Sequence, residues 1–397
     1  MQSKGTNLKQ KRILLCSVLT VPYTSGSGIN LFRFARTLLK FDVDVSVLTF
    51  NWNLKHIPFQ KVEGVKIYRI PACTLKLLNA VLNLLFLPVL LVVVLRYDVF
   101  MVYGPFIPYY KVLVFMASLF KKRTIIQSVN LTMDDIRTLL TGFWLKKTVN
   151  KKFLNSVDVY HAITPEFAHR YEEMNPEKKD RIFLSSQGVD LSRFYPVCEH
   201  DKVILKSKLG LPLDKPIIIT IGNLINRKGF SDIFKVLATI NYDFIFVVIG
   251  NYKHNWKFFW QSKNEMDFLY QQGKETLGSK IFFKGAVTNV DEYLKVADIF
   301  LLNSEREGLP NCLLEAMASK VPCVYRSLEG VDDYILVNGT SSLIFNSNDG
   351  MRRSIIDLLD NNRKRNIIAE NAFCSVIKEH SDVLVAEKLL KRIDGIS

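Results

Sequence analysis

Apolar and polar positions follow two recurring patterns along the chain. Short, almost wholly apolar runs alternate with longer stretches whose apolar residues fall three and four apart. The first pattern fits strands buried on both faces and the second fits amphipathic helices, so the alternation predicts an α/β protein with mostly parallel sheets. The opening unit reads as a strand over Arg12–Thr20, a Gly/Ser loop at Thr24–Gly28 and a helix over Ile29–Phe41. Further strands are expected at Val43–Thr49, Val65–Ile70, Val99–Val102, Thr124–Gln127 and Val159–Ala162. A second series begins near Pro216, with strands at Ile217–Ile221, Phe244–Ile249, Ile281–Lys284, Ile299–Leu302 and Cys323–Tyr325. Two doubly wound halves joined near Phe194–Lys215 account for this most simply.

One segment departs from the alternation. Leu77–Leu95 carries no charge over 19 residues and is interrupted only by Asn79, Asn83 and Pro88. Its length makes it a candidate membrane span. A span would put the strands before and after it on opposite sides of a bilayer, which a shared parallel sheet forbids. Two readings are preferred to a span: a helix buried on the flank of the sheet, or a helix whose apolar face enters a lipid interface.

Composition narrows the class. In 397 residues, 48% are hydrophobic and 23% charged, which supplies material for real cores and excludes a disordered or fibrous chain. The six cysteines form no CxxC pair, which excludes a disulfide framework and a zinc ribbon and fits a reducing compartment. Met1–Gln10 is polar, so no cleavable signal peptide is expected. The net charge of +15 is uneven: residues 1–150 hold 20 Lys and Arg against 6 Asp and Glu, and the remainder holds 33 against 32. Such asymmetry points to an anionic partner, either nucleic acid or an acidic membrane surface, with a solvated surface as the plain alternative. Lys76, Arg96, Lys111, Lys121, Lys122, Arg123, Lys146, Lys147, Lys151 and Lys152 share the basic half with the apolar run, which favours the membrane. No nucleic-acid motif accompanies them, so no nucleic-acid partner is expected.

The segment richest in chemistry is Ser304–Ser319, which follows the strand Ile299–Leu302. That position is the crevice outside the carboxyl ends of strands, where open α/β sheets bind ligands. Glu307 lies in the loop, Gly308 admits a close backbone approach, and Pro310 suits the first turn of a helix running to about Ser319. The amino end of such a helix attracts phosphate. Glu315 stands about one turn in, where a carboxylate can accept hydrogen bonds from vicinal hydroxyls. Two glutamates eight apart say little alone; bracketing Gly-Leu-Pro after a buried strand, they are far more specific.

This segment resembles the E-x7-E signature of the retaining GT-B glycosyltransferases, in particular family 4. Ile221–Phe230 resembles that group's diphosphate-holding "G-(R)-L…K-G" segment, and Gln187–Asp190 with Phe194 and Pro196 resembles its "N-G-V-D…F-x-P". Phe283–Gly285 through Ala297–Asp298 is similar to "F-x-G…A-D", Gly330 to Gly339 to the following "G…G" loop, and Gly26–Gly28 to the N-terminal glycine loop. Order and spacing agree over nearly the whole chain, most specifically over 187–345.

The resemblance implies an α/β GT-B fold of two doubly wound Rossmann-like domains facing a central cleft. It places an acceptor-side, membrane-facing domain at 1–195, a nucleotide-sugar donor domain at 196–378, and a C-terminal helix at 379–397 packing back on the first domain. Arg227 and Lys228 would neutralise the donor diphosphate, Glu315 would bind ribose hydroxyls, and Glu307 with the backbone of Gly308 and Leu309 would hold the sugar and β-phosphate. Pro310, Gly222, Asn223, Gly26 and Gly28 complete the implied donor site. No aspartate cluster suited to Mg²⁺ stands beside the motif, so neither metal nor other cofactor is expected. Three departures stand out. Asn223 replaces a frequent Arg, Lys320 a usual Gly, and Gln127-Ser-Val-Asn130 carries no His where one is common, leaving Gln127 and Asn130 as acceptor-side candidates. His56, His161, His169 and His254 read as structural or surface residues. The implied reaction moves a sugar from a nucleotide donor to an acceptor hydroxyl with retention, on a lipid-linked glycan at the cytoplasmic face of an anionic membrane. A GT-B-fold nucleotide-sugar epimerase and a non-catalytic membrane-associated scaffold are the alternatives.

Overall fold

The computed structural model describes residues 10–21, 26–52, 56–72, 85, 87–131, 134–141, 144–252 and 263–395. The chain forms two compact units, one of Met1–Gln187 with Asp382–Ser397 and one of Gly188–Ser381.

The first unit is built on strands β1 (Lys11–Cys16), β2 (Val43–Trp52), β3 (Phe59–Val62), β4 (Val65–Ala72), β5 (Val99–Tyr103), β6 (Arg123–Gln127), β7 (Val159–Ala162) and β8 (Ile182–Leu184). They form one sheet in the order β3-β4-β2-β1-β5-β6-β7-β8, parallel throughout except for the β3–β4 hairpin. The chain winds outward from β1 and then returns with β5 on the other side of β1, a topological switch point. Ile13 stands in register with Val45 and Val99, and these β-branched residues pack under the helix Gly26–Leu38. The helix Asp382–Asp394 covers the same core through Val385, Ala386, Leu389 and Ile393, and the Thr37 hydroxyl donates to Asp382 Oδ2 at 2.7 Å.

The second unit holds β9 (Ile217–Ile221), β10 (Ile245–Ile249), β11 (Ile281–Gly285), β12 (Ile299–Leu302), β13 (Cys323–Arg326) and β14 (Ser342–Phe345). This all-parallel sheet runs β11-β10-β9-β12-β13-β14, so its switch point lies between β9 and β12. Phe230, Phe234 and Phe246 anchor its core, together with the helix Asn348–Asp360.

Several expectations shift. The first strand stops at Cys16 rather than Thr20, and just beyond it the Tyr110 hydroxyl lies 2.7 Å from Ser17 O and 3.2 Å from Leu48 O. The first helix starts at Gly26 rather than Ile29. Pro310 is the N-cap of the helix Asn311–Ala318, one position earlier than expected. The sequence patterns do not predict β3, β8 and β14, which are three or four residues long and lie at sheet edges, too short to show a period. The β3–β4 turn uses Glu63 and Gly64, both at positive φ (46° and 85°), the mirror-image turn that suits hairpin twist.

Of the apolar run, residues 77–84 and 86 lie outside the described residues. Its remainder forms the helix Leu87–Arg96, which buries Leu90 and Val94 and exposes Val92 (66%) and Leu95 (56%). β1, β2 and β4 precede the run and β5 follows it in the same sheet, so it does not separate them across a bilayer. Among the described residues no helix is long and apolar enough to cross a membrane.

Candidate functional site

The site grows from the switch point of the second unit, where the chain leaves β9 and β12 side by side. After β9, Gly222 N donates to Ile249 O at 2.8 Å, and a Cβ on Gly222 would stand 3.3 Å from Lys228 Cε. Asn223 Oδ1 accepts from the backbone N and the side-chain Nδ2 of Asn251, both at 3.1 Å, so this residue ties the loop after β9 to the loop after β10. The turn Asn226–Lys228 ends on Gly229 at φ +66°, where a Cβ would lie 2.5 Å from Asn303 O. Only glycine satisfies both constraints.

The loops after β9 and β12 are then hydrogen-bonded to each other. Asn303 Nδ2 donates to Gly229 O at 3.0 Å, and Glu305 N donates to Arg227 O at 2.9 Å. This frame aims three charges at one point. Lys228 Nζ lies 2.5 Å from Glu307 Oε1, Arg227 Nη1 lies 3.2 Å from the same oxygen, and Arg227 also donates to the carbonyl of Arg306. Glu307 and Lys228 are largely enclosed, with side-chain exposures of 15% and 14%. Burial pushes the Glu307 carboxyl up, but Lys228 and Arg227 together outweigh it and hold the group below its ordinary value. Two cations thus share one largely enclosed carboxylate.

The helix Asn311–Ala318 begins directly beyond this loop, so the positive end of its dipole lies beside it. Gly308, Leu309 and Pro310 are buried in the connection. Glu315 is half-buried on the helix, and its carbonyl accepts from Ser319 N and Oγ at 3.1 and 2.9 Å. Burial pushes the thiol of Cys312, in the first turn of the helix, up to about 12.

The remaining candidates belong to the first unit. Gly26 opens its helix, and Gly28 O accepts from the Thr20 hydroxyl at 3.2 Å. Gln127 ends β6 and is 1% exposed; its Oε1 and Nε2 find no hydrogen-bond partner among the described residues. Asn130 N donates to Asp134 Oδ1 at 3.0 Å. Asp134, not singled out by the sequence, organises this loop. It is 1% exposed, Oδ2 accepts from Val129 N at 2.6 Å, and its carbonyl accepts from Ser128 Oγ at 2.8 Å. A Cβ on Gly104 would fall 1.8 Å from Asp134 Oδ2, so the carboxyl occupies the space that glycine leaves. Burial raises its pKa to about 7 despite the backbone donors. His161 is buried against Ser185 O at 2.9 Å, and burial lowers it to about 4, so it is neutral at pH 7; His254 lies outside the described residues. Among the described residues no three His, Cys, Asp or Glu side chains gather as a metal site requires.

This geometry has counterparts. Residues 201–373 match the family described as Glycosyl transferases group 1. The matched residues include Arg227, Lys228, Glu307 and Glu315. Among curated proteins, the chain is 26% identical over 255 residues to N,N'-diacetylbacillosaminyl-diphospho-undecaprenol alpha-1,3-N-acetylgalactosaminyltransferase of Campylobacter jejuni, covering 60% of this chain and 64% of that one. The chain likewise spans less than two thirds of the other curated relatives it matches first. Sucrose-phosphate synthase from Thermosynechococcus elongatus superposes with a TM-score of 0.78 at 16% identity, covering 98% of this chain and 100% of that chain. Anabaena Alr3699/HepE, solved in complex with UDP and glucose, superposes with a TM-score of 0.76 at 14% identity, covering 98% and 100%. The fold is GT-B, two Rossmann-like units each with a parallel sheet.

Proposed function

We propose that this chain is a retaining glycosyltransferase of family 4 that moves a sugar from a nucleotide-sugar donor to a hydroxyl of a lipid-linked glycan during surface polysaccharide or lipopolysaccharide assembly. The observation that carries the reading is the convergence of Arg227 and Lys228 on Glu307 at the amino end of the 311–318 helix. Breaking a bond to a nucleoside diphosphate develops negative charge on the leaving group, and preorganised cations and a helix amino end stabilise charge of that sign. Arg227 offers a planar fork and Lys228 a compact charge. Glu307 holds both cations in place and lies where the sugar would meet them. Glu315 suits the ribose hydroxyls, and the backbone of Gly308 and Leu309 the β-phosphate.

Metal independence belongs to the same reading, since two cations and a helix end do the work a bound Mg²⁺ would otherwise do. The lipid-linked acceptor is supported by the name of the Campylobacter relative, whose acceptor is a diphospho-undecaprenol sugar. The basic first unit is supported as the side that meets an anionic membrane, at its cytoplasmic face where nucleotide sugars are made. Gln127 and Asn130 remain its acceptor-side candidates. Incubation with a panel of nucleotide sugars, measuring nucleoside diphosphate release with and without polyprenyl-diphosphate sugars, tests the reading. Release from one donor that rises with a lipid-linked acceptor is the expected result; no release from any donor would sink it.

A further inference from the structure

The first unit carries a second charged recess at the opposite edge of its sheet from the loops that follow the strands. A cavity of about 340 Å³ opens at the amino ends of β1, β5 and β6, lined by Lys11, Asp98, Lys121, Lys122, Arg123 and Asp394. Its carboxylates are committed: Asp98 takes two hydrogen bonds from the Arg12 guanidinium at 3.1 Å and lies 3.5 Å from Lys122, while Asp394 pairs with Lys11. Among the lining side chains, four cations stand with these two carboxylates. Lys121 adopts φ +53° immediately after the helix Pro108–Leu119 and is exposed.

Exposed apolar side chains adjoin the lining residues along the chain, Leu119 and Phe120 directly preceding Lys121. Leu95, Leu119 and Phe120 are exposed by 56%, 66% and 45% at the ends of the two helices that lead to it. Those helices, 87–96 and 108–119, pack on each other, and Val92 and Phe115 extend the exposed apolar face back along them (66% and 47%). Since the second helix begins at Pro108, just after the carboxyl end of β5, this face reaches toward the edge that bears Gln127 and Asn130. Surplus cations in a recess beside exposed leucine and phenylalanine match a molecule that joins an anion to a hydrocarbon. A small free anion would have no use for the apolar rim.

We propose that this cavity binds the phosphate of an anionic phospholipid, with Leu119 and Phe120 entering the lipid interface beside it. The proposal deepens the membrane part of the proposed function and does not depend on the donor chemistry. The full chain is mixed with vesicles of phosphatidylcholine, with or without phosphatidylglycerol, and separated by flotation. Wild type is expected to float only with the phosphatidylglycerol vesicles. Lys121→Glu with Lys122→Glu is expected to weaken that binding roughly tenfold or more, as is Leu119→Ser with Phe120→Ser. Arg352→Glu with Arg353→Glu makes the same change of net charge in the second unit and is expected to bind like wild type. Circular dichroism of each variant verifies that it is folded. Cavity variants that float like wild type would overturn the assignment, as would the control pair losing as much as they do. Inorganic phosphate that raises the melting temperature while neither vesicle is bound would make this a site for a free anion and overturn the lipid. A chain that floats as expected but releases no nucleoside diphosphate would sink the transferase reading and leave this one standing.

Discussion

Glu307 answers to two cations at once, and that sets what single substitutions do. Glu315→Ala and Arg227→Ala are expected to weaken donor binding roughly ten- to hundredfold, the range for losing a charge-assisted contact. Glu307→Ala is expected chiefly to lower turnover, because the two cations it orients lose their shared partner. Steady-state kinetics on the folded variants separate KM from kcat, and unchanged kinetics for Glu315→Ala would discard the donor-site assignment. Asp134 gives a prediction of opposite electrostatic character. Its folded pKa, about 7, lies above the ordinary aspartate value of 3.8. The folded state therefore holds a proton that the unfolded state releases between those values, and the stability this provides is lost as pH rises through about 7. Asp134→Asn removes the titration, so its melting temperature should fall below wild type by more at pH 5 than at pH 8. A constant gap across that range would show that Asp134 does not titrate there.

At the scale of elements, the loops after β9 and β12 form one device because their strands are neighbours at the switch point. The Asn303 side-chain amide on Gly229 O and the Glu305 backbone N–H on Arg227 O join them. Residues far apart in sequence are thus held at hydrogen-bonding distance by the sheet itself. The helix 382–394 works the same way for the first unit, covering a core that strands β1, β2 and β5 begin. Leu389 is 1% exposed there. Leu389→Ala should cost about 2–5 kcal/mol and lower the melting temperature by several degrees in a thermal scan. A change within error would mean that the helix contributes little to that core.

For the whole molecule, the uneven charge divides the labour. The first 150 residues carry nearly all the net charge, while the donor-side chemistry proposed above is local to the second unit. If Arg227, Lys228 and the helix end stabilise the leaving group, transfer should survive a chelator. Full loss of nucleoside diphosphate release with EDTA, restored by Mg²⁺ or Mn²⁺, would overturn the leaving-group assignment.

The amino-acid order alone determined the α/β class, the two halves and most strands, because a strand buried on both faces must be apolar throughout. Val159–Ala162, Ile217–Ile221 and Ile299–Leu302 have the bounds that their runs predict. The Ser304–Ser319 segment was legible because Gly308 and a proline-led helix mark special backbone. Edge strands β3, β8 and β14 were not legible, since three or four residues are too few to show a period. The partnerships were not legible either. Nothing in the order of residues says that Glu307 meets Lys228, that Asn223 ties two loops, or that Asp134 fills the space at Gly104. Those contacts cross tens of residues, and they exist because strand order places distant loops side by side. Tertiary structure also decided the fate of the apolar run. The same leucines and valines that could have been buried throughout leave Val92 and Leu95 facing outward, because the sheet offers the helix only one face to cover.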